Sequence, residues 1–335
     1  MVTVLVTMRG VELGEEGPFA ALHRAGHDVR HVPRDRRTPL EEAVAALAGC
    51  AAVIAGGEPY TAELFDAAPQ LGHVARFGAG YDAVDVAAAT ARGVVVTNGA
   101  GANAAAVADL TLGLIIAAAR NIALHDRTIR GSVWQGRMGA DVWQQTLGIV
   151  GLGRIGQGVA RRARGFDMRI LAYEPYPNMD AVRALDVELV PMERVFAEAD
   201  FVTLHLPASP QTARLVDARL LGLMKPTAYL INAARGALVG EDALYDALRD
   251  QRIAGAGLDV RATEPPADDR FAALDNVVMT PHTGAATPMA RLRSGQAAAG
   301  SVVDVLRGVR PEGLVNPEAW EARRGRPAAQ SGSGQ

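Results

Sequence analysis

The stretch TLGIVGLGRIGQGVARRARGFDMRILAYE, residues 146–174, leaves the chain few ways to fold. A short apolar run is followed at once by Gly151, Gly153 and Gly156, then by an apolar-periodic helix and a second apolar run that ends at Glu174. A strand, a crossover helix and a second strand of this length close as a right-handed parallel unit. Gly151 permits the tight turn, Gly153 lets the backbone approach a pyrophosphate, and Gly156 allows the helix to pack closely. The helix start at Arg154 and Ile155 offers N–H groups and the positive end of a dipole. Glu174 stands 18 residues after Gly156, where an acid accepts hydrogen bonds from an adenosine ribose. The stretch therefore predicts a dinucleotide site. A carboxylate about 5 Å from a 2′-phosphate costs roughly 3 kcal/mol per unit charge at an effective dielectric of about 20. No Arg or Lys follows before Arg183, so the cofactor reads as NAD rather than NADP.

The same alternation extends over most of the 335 residues, a length that suits two domains of roughly 150 residues each. Apolar runs VTVLVT, VRHV, AAVIAG, HVARFG and VVVTN alternate with Ala-rich helical stretches up to about residue 98, which predicts one compact parallel unit. A second series follows: TLGIV, RILAY, VELV, FVTL, AYLIN, GAGLDV and NVVMT. Between the two lies ANAAAVADLTLGLIIAAAR, so uniformly small and apolar that burial between domains or subunits is expected. A last helix from Thr287 to about Arg307 has no strand after it, and is expected to return to the first unit. The predicted division is a substrate domain of residues 1–98 plus 284–318, a nucleotide domain of 99–283, and a disordered tail from 319 to 335.

Bulk properties narrow the function. Net charge is −3, so no field gathers nucleic acid or an anionic membrane, and neither is expected as a partner. No apolar stretch approaches the ~18 residues of a membrane span, and the N-terminus lacks a basic lead. The single Cys50 cannot form an internal disulfide and sits in GCAAVIAG, which fits a buried thiol and a cytoplasmic location. No histidine spacing suggests a metal site.

Open parallel sheets bind ligands outside the carboxyl ends of their strands. The polar residues that close each run of the second unit are His205 after FVTL, Asn232 and Arg235 after AYLI, Asp259 after GAGL, Glu264 on the next loop and His282 after VVMTP. They fall at one rim. Arg235 offers a planar fork that matches a carboxylate. If their loops meet, Glu264 orients the His282 ring and favours its protonated form, which makes His282 a general acid.

Taken together, RFGAGYDAVD, GANAAAVADLTLGLI, TLGIVGLGRIG, HLPASPQT, LINAARGALV, LDVRATEPP and TPHTGAAT occur in an order that resembles the D-isomer-specific 2-hydroxyacid dehydrogenase family, over about residues 40 to 316. The resemblance implies a Rossmann NAD-binding domain inserted into a flavodoxin-like parallel-sheet substrate domain, and a homodimer. It implies a catalytic set in which Arg235 binds and polarises a 2-oxo acid, His282 exchanges the proton and Glu264 partners the histidine. Gly78, Ala79 and Gly80, beside Arg76, are implied to bind substrate. His205, Pro207, Thr212, Ala233 and Asp259 are implied to line the cofactor. The chain departs from the family at Ala83, where Asn is frequent, and at Asp109, where Glu is common. The expected activity is NAD-dependent interconversion of a 2-oxo acid and a D-2-hydroxy acid. The alternatives are a dehydrogenase of a phosphonate or other small oxyanion, and a non-catalytic NAD(H)-sensing, corepressor-like protein.

Overall fold

A computed structural model describes residues 1–266, 268 and 270–325. The chain divides into two compact units: Met1–Asn103 together with the chain from Thr287 onward, and Ala104–Ala286. The first contains β1 (Thr3–Val6), α1 (Ala20–Arg24), β2 (Asp28–His31), α2 (Leu40–Leu47), β3 (Cys50–Ala55), α3 (Ala62–Ala67), β4 (His73–Arg76), α4 (Val86–Ala91) and β5 (Val95–Asn98). The second contains α5 (Ala104–Ala119), α6 (Ile122–Arg130), β6 (Thr146–Val150), α7 (Arg154–Ala163), β7 (Arg169–Tyr173), α8 (Met179–Leu185), β8 (Val187–Leu189) and α9 (Met192–Glu198). It continues through β9 (Phe201–Leu204), α10 (Ala218–Leu221), β10 (Tyr229–Asn232), α11 (Glu241–Arg249), β11 (Gly255–Leu258) and β12 (Val277–Met279). The chain then re-enters the first unit with α12 (Pro288–Leu306).

Both sheets are parallel. The first has the order β2-β1-β3-β4-β5, the flavodoxin-like arrangement, and the second the order β12-β11-β10-β9-β6-β7-β8. Reading the second from β8 gives the dinucleotide-binding order, with its reversal between β6 and β9. Single helices between strands, together with β-branched runs buried on both faces, leave no alternative to parallel pairing. In the second unit, one face of the sheet is covered by a core that includes Val107, Ile115, Leu147 and Val159. The other carries Val150, Phe196, Leu220 and Leu248.

Helix α5 packs against α7, β10 and β11 of its own unit, and buries Val107, Ala108, Thr111, Leu112, Leu114 and Ile115 there. Its apolar character thus serves a core within the nucleotide-binding unit. Asp109 explains one departure from the family pattern: its carboxylate accepts from Arg162 Nε at 2.6 Å, and Arg162 also reaches the Gly158 and Ala105 carbonyls. The shorter acid still ties α5 to α7. Among the described residues no single helix is long and apolar enough to cross a membrane; α5 and α6 pass by length only as a pair bent by 64°.

In the first unit α12 completes the core. Ala298, Ala299, Val302 and Val303 meet Val4, Val6, Phe19, Ile54 and Ala75. Thr287 caps α12 by accepting the Ala290 N–H at 3.1 Å, with Pro288 in the first turn, where its missing N–H costs nothing. The expected tail is corrected over residues 319–325. Gly313 and Val315 hydrogen-bond along edge strand β5, and buried Asn316 accepts the Val96 N–H at 2.8 Å. Trp320 is buried, with Arg323 stacked 3.9 Å from its ring centroid. Arg324 donates to the Arg92, Ala68, Pro69 and Leu71 carbonyls, which caps the end of α3. An open strand edge needs cover, and this segment supplies it. The rest of that expectation, residues 326–335, lies outside the described residues.

His73 opens β4 with 1% exposure; its Nε2 is 2.9 Å from Thr97 Oγ1, which meets Ser301 Oγ at 3.0 Å. Burial pushes the imidazole down to about 3, so the folded chain keeps it neutral. The unfolded chain binds a proton there below its ordinary value of about 6.5, so stability falls as pH drops from there toward 3, by up to about 1.4 kcal/mol per pH unit for this group. His73→Gln, which can retain the bond to Thr97, should make the decline of melting temperature over that range shallower; an unchanged slope would place the titration elsewhere.

Candidate active site

The glycine turn sits where the strand order of the second sheet reverses. After β6, Gly151 adopts φ +99°, and a Cβ there would lie 2.8 Å from the His205 backbone. A Cβ on Gly156 would lie 2.2 Å from the Gly151 carbonyl oxygen, so the first turn of α7 rests directly on the loop. Gly153 takes the N-cap position of α7 with extended backbone and no side-chain cap. Glu174 follows β7; its Oε2 accepts the Leu152 N–H at 2.8 Å and its Oε1 the Tyr176 N–H at 3.0 Å. The acid is therefore pinned beside the glycine loop. A helix N-terminus, a backbone cradle that admits no side chain, and a fixed acid at the end of the next strand fit a dinucleotide.

The loop after β9 adjoins this turn. His205 donates its backbone N–H to the Val150 carbonyl at 2.8 Å, and its Nε2 lies 3.1 Å from Thr203 Oγ1. The residue is half-buried but Nδ1 is sealed from solvent, and burial holds the ring neutral by pushing it down to about 3. Thr212 Oγ1 donates to the Pro207 carbonyl and accepts the Ser209 N–H, both at 2.8 Å, which closes the turn.

The ends of β10, β11 and β12 carry the remaining predicted residues of this unit. Asn232, 1% exposed, accepts the Ala234 N–H at 3.1 Å and donates to the Arg235 carbonyl at 2.9 Å, so it shapes the loop Ala233–Arg235. Arg235 has extended backbone and donates to the Ala234 carbonyl at 2.7 Å. Asp259, 2% exposed, gathers the loop after β12: it accepts Thr280 Oγ1 at 2.6 Å, the Thr283 N–H at 2.7 Å and the Gly284 N–H at 2.9 Å. Its own carbonyl accepts the His282 N–H at 2.8 Å. His282 is held with φ +54°, a conformation that needs such anchoring. His282 Nδ1 meets Glu264 Oε2 at 2.7 Å; a carboxylate oxygen only accepts, so the proton of that bond sits on Nδ1. Thus Glu264 and His282 do meet. Asn232, Thr280 and Thr283 organise the site without having been predicted as members of it; only the position of Asn232 at a strand end pointed that way.

In the first unit, Arg76 ends β4, 8% exposed, and its Nε donates to the Gly80 carbonyl at 3.1 Å. The Gly78 carbonyl accepts from Gly99 N–H and the Ala79 carbonyl from Asn98 Nδ2, at 2.8 and 2.7 Å. Arg76 thus shapes the loop through its carbonyl. Among the described residues, no group of three or more His, Cys, Asp or Glu is placed to hold a metal ion.

A parallel sheet with this glycine turn, and acid, imidazole and guanidinium groups on the rim, defines a nicotinamide-dependent oxidoreductase. Residues 112–284 match the model of the D-isomer specific 2-hydroxyacid dehydrogenase, NAD binding domain, and the chain belongs to that family of NAD-dependent enzymes. It is 44% identical to a glyoxylate reductase of Korarchaeum cryptofilum over 79% of this chain and 82% of that protein. It is 40% identical to a D-3-phosphoglycerate dehydrogenase of Methanocaldococcus jannaschii, over 79% of this chain and 51% of the relative. The chain spans about half the length of that second relative. Among solved structures, a protein of Thermus thermophilus superposes with a TM-score of 0.84 at 38% identity, covering 93% of this chain and 99% of that one. An NADPH-dependent glyoxylate/hydroxypyruvate reductase of Sinorhizobium meliloti, bound to NADP and malonate, gives 0.82 at 28% identity, over 98% and 99% of the two chains.

Asp259→Ala should free the loop it gathers: hydrogen exchange at the Thr283 and Gly284 amides should rise sharply, with a loss of about 1–3 kcal/mol from the unsatisfied groups. Unchanged exchange at both amides would show that the loop is held by other bonds.

Proposed function

We propose that the protein interconverts a small 2-oxo acid and the corresponding D-2-hydroxy acid with NAD(H), and that Arg235, Glu264 and His282 carry the reaction. The 2.7 Å contact between His282 Nδ1 and Glu264 Oε2 is the observation that supports this reading best, because it leaves one ring nitrogen for the substrate. Arg235 binds the substrate carboxylate through its fork and polarises the carbonyl. NADH, when bound, supplies a hydride to the carbonyl carbon. His282 delivers a proton from Nε2 to the carbonyl oxygen and recovers it from the hydroxyl in the reverse direction, while Glu264 steadies the charged ring. Gly78, Ala79 and Gly80, in a loop shaped by Arg76, contribute to substrate binding on their own unit. The similarity to glyoxylate reductases along most of their length supports a short side chain on the acid.

For the cofactor we assign Gly151, Gly153, Arg154, Ile155 and Gly156 to the pyrophosphate, and Glu174 to the adenosine ribose. His205, Pro207 and Thr212 line the adenosine and phosphate side, and Ala233 and Asp259 the nicotinamide side. Glu174 is followed by Pro175 and Tyr176, with no cation to accept a 2′-phosphate, which supports NAD over NADP.

We also propose a cytoplasmic homodimer. The segment from Ile129 to Trp143 exposes Ile129, Val133, Trp134, Met138 and Trp143, with Trp134 and Met138 both 93% exposed, an apolar surface that a second copy would cover.

Loss of NADH absorbance with glyoxylate, hydroxypyruvate, pyruvate and 2-oxoglutarate tests the activity. His282→Ala should lower kcat by about 10² to 10⁴ while NADH affinity is kept; a rate near that of the parent would remove His282 from the mechanism. Glu174→Ala should narrow the preference for NADH over NADPH, by up to about a hundredfold at an effective dielectric of about 20. An unchanged ratio would mean that another group reads the adenosine.

A further inference from the structure

Glu241 opens α11, and Arg261 lies just beyond Asp259 on the loop that carries Glu264. Their side chains meet in a two-pronged pair: Arg261 Nε is 2.9 Å from Glu241 Oε1, and a terminal guanidinium nitrogen is 3.2 Å from Oε2. Both are largely withdrawn from water, with side-chain exposures of 11% and 20%. Glu241 Oε1 also accepts the Ala262 N–H at 2.8 Å, so one carboxylate holds the side chain of one residue and the backbone of the next. The Arg261 backbone N–H donates to Glu264 Oε1 at 3.2 Å, while Glu264 Oε2 meets His282. Fully buried Phe271 lies under the guanidinium, 4.5 Å from ring centroid to Cζ. On the other side Gly236 presses so close that a Cβ built on it would lie 2.0 Å from the Arg261 carbonyl carbon. At the far end of the loop Asp242, next to Glu241, binds Arg270 at 2.7 Å, and Arg270 Cζ lies 5.6 Å from the same Phe271 ring.

We infer that Glu241 and Arg261 are positioning residues for the Glu264–His282 pair: they fix the turn whose amide pins one oxygen of Glu264, so that the other faces the imidazole. The inference rests on the reading of Glu264 and His282 given above. A carboxylate free to rotate on a partly exposed loop spends only part of its time facing the ring, whereas one pinned at Oε1 presents Oε2 continuously. An exposed ion pair holds little; a bidentate pair shielded from water and packed on an aromatic ring is geometrically specific. The pair holds the Ala262 amide and the turn whose Arg261 amide donates to Glu264, so its effect passes through Glu264.

A double-mutant cycle on the full-length enzyme tests this, with kcat measured for the fastest acid of the panel under saturating NADH. Arg261→Met keeps an apolar stem over Phe271 and removes the fork. In the parent it should cost about tenfold in kcat, since a small misplacement near the reacting groups has effects of that order, with NADH affinity by fluorescence titration unchanged. In a Glu264→Gln background the same replacement should cost less than about twofold, because little is left to position. Glu241→Gln, which can keep the Ala262 bond, should give a smaller loss with the same dependence on Glu264, and it decides the question if Arg261→Met does not fold. Equal losses in both backgrounds would show that the pair merely supports the fold and would overturn the inference, as would parental kcat in both single variants. Should Glu264→Gln itself turn over at the parental rate, the assignment of Glu264 fails and the brace fails with it.

Discussion

The bond between His282 and Glu264 depends on strand direction. β11 and β12 are parallel neighbours, so the loop leaving β11 and the loop leaving β12 emerge at the same rim, and residues separated by a crossover can meet at 2.7 Å. Antiparallel pairing would have sent them to opposite ends. The rim is then stiffened by buried acceptors and amides: Asp259 gathers the loop of His282, Asn232 folds the loop of Arg235, and Glu241 holds the turn before Glu264. Asn232 and Asp259 are buried at strand ends, where a polar side chain must find partners, and each finds them in the loop above.

The parallel architecture was legible because its signals are local. Apolar runs such as FVTL and AYLIN are too short and too β-branched for helices, and every one is a strand. The glycine turn is equally local: the spacing of Gly151, Gly153 and Gly156 follows from how a strand meets a helix, and both the clash at Gly156 and the pinned Glu174 express that geometry. The meeting of Glu264 and His282 was legible at one remove, since strand-end positions place both at one rim.

What escaped the sequence depends on contacts between distant segments. Composition made the chain after Ala319 look unstructured, yet Trp320 and Arg324 are bound by burial and by carbonyls of α3 and Arg92, none of which periodicity reveals. Residue type reports that the apolar α5 is buried, not that α7, β10 and β11 pack against it. Arg76 was read as a substrate ligand from its place beside the loop; that its Nε also holds the Gly80 carbonyl was not legible there. Arg261 gave no signal at all, because its partner lies at the start of a helix that precedes β11.

The central claim is that a guanidinium and a glutamate-held imidazole act on one 2-oxo acid. A crystal structure of the protein with NADH and oxamate, a non-reducible 2-oxo acid analogue, tests it most directly. The expected result is the oxamate carboxylate on the Arg235 fork and its carbonyl oxygen within hydrogen-bonding distance of His282 Nε2, with the Glu264 bond intact. Oxamate seated away from both side chains, or a carbonyl oxygen out of reach of His282, would contradict it.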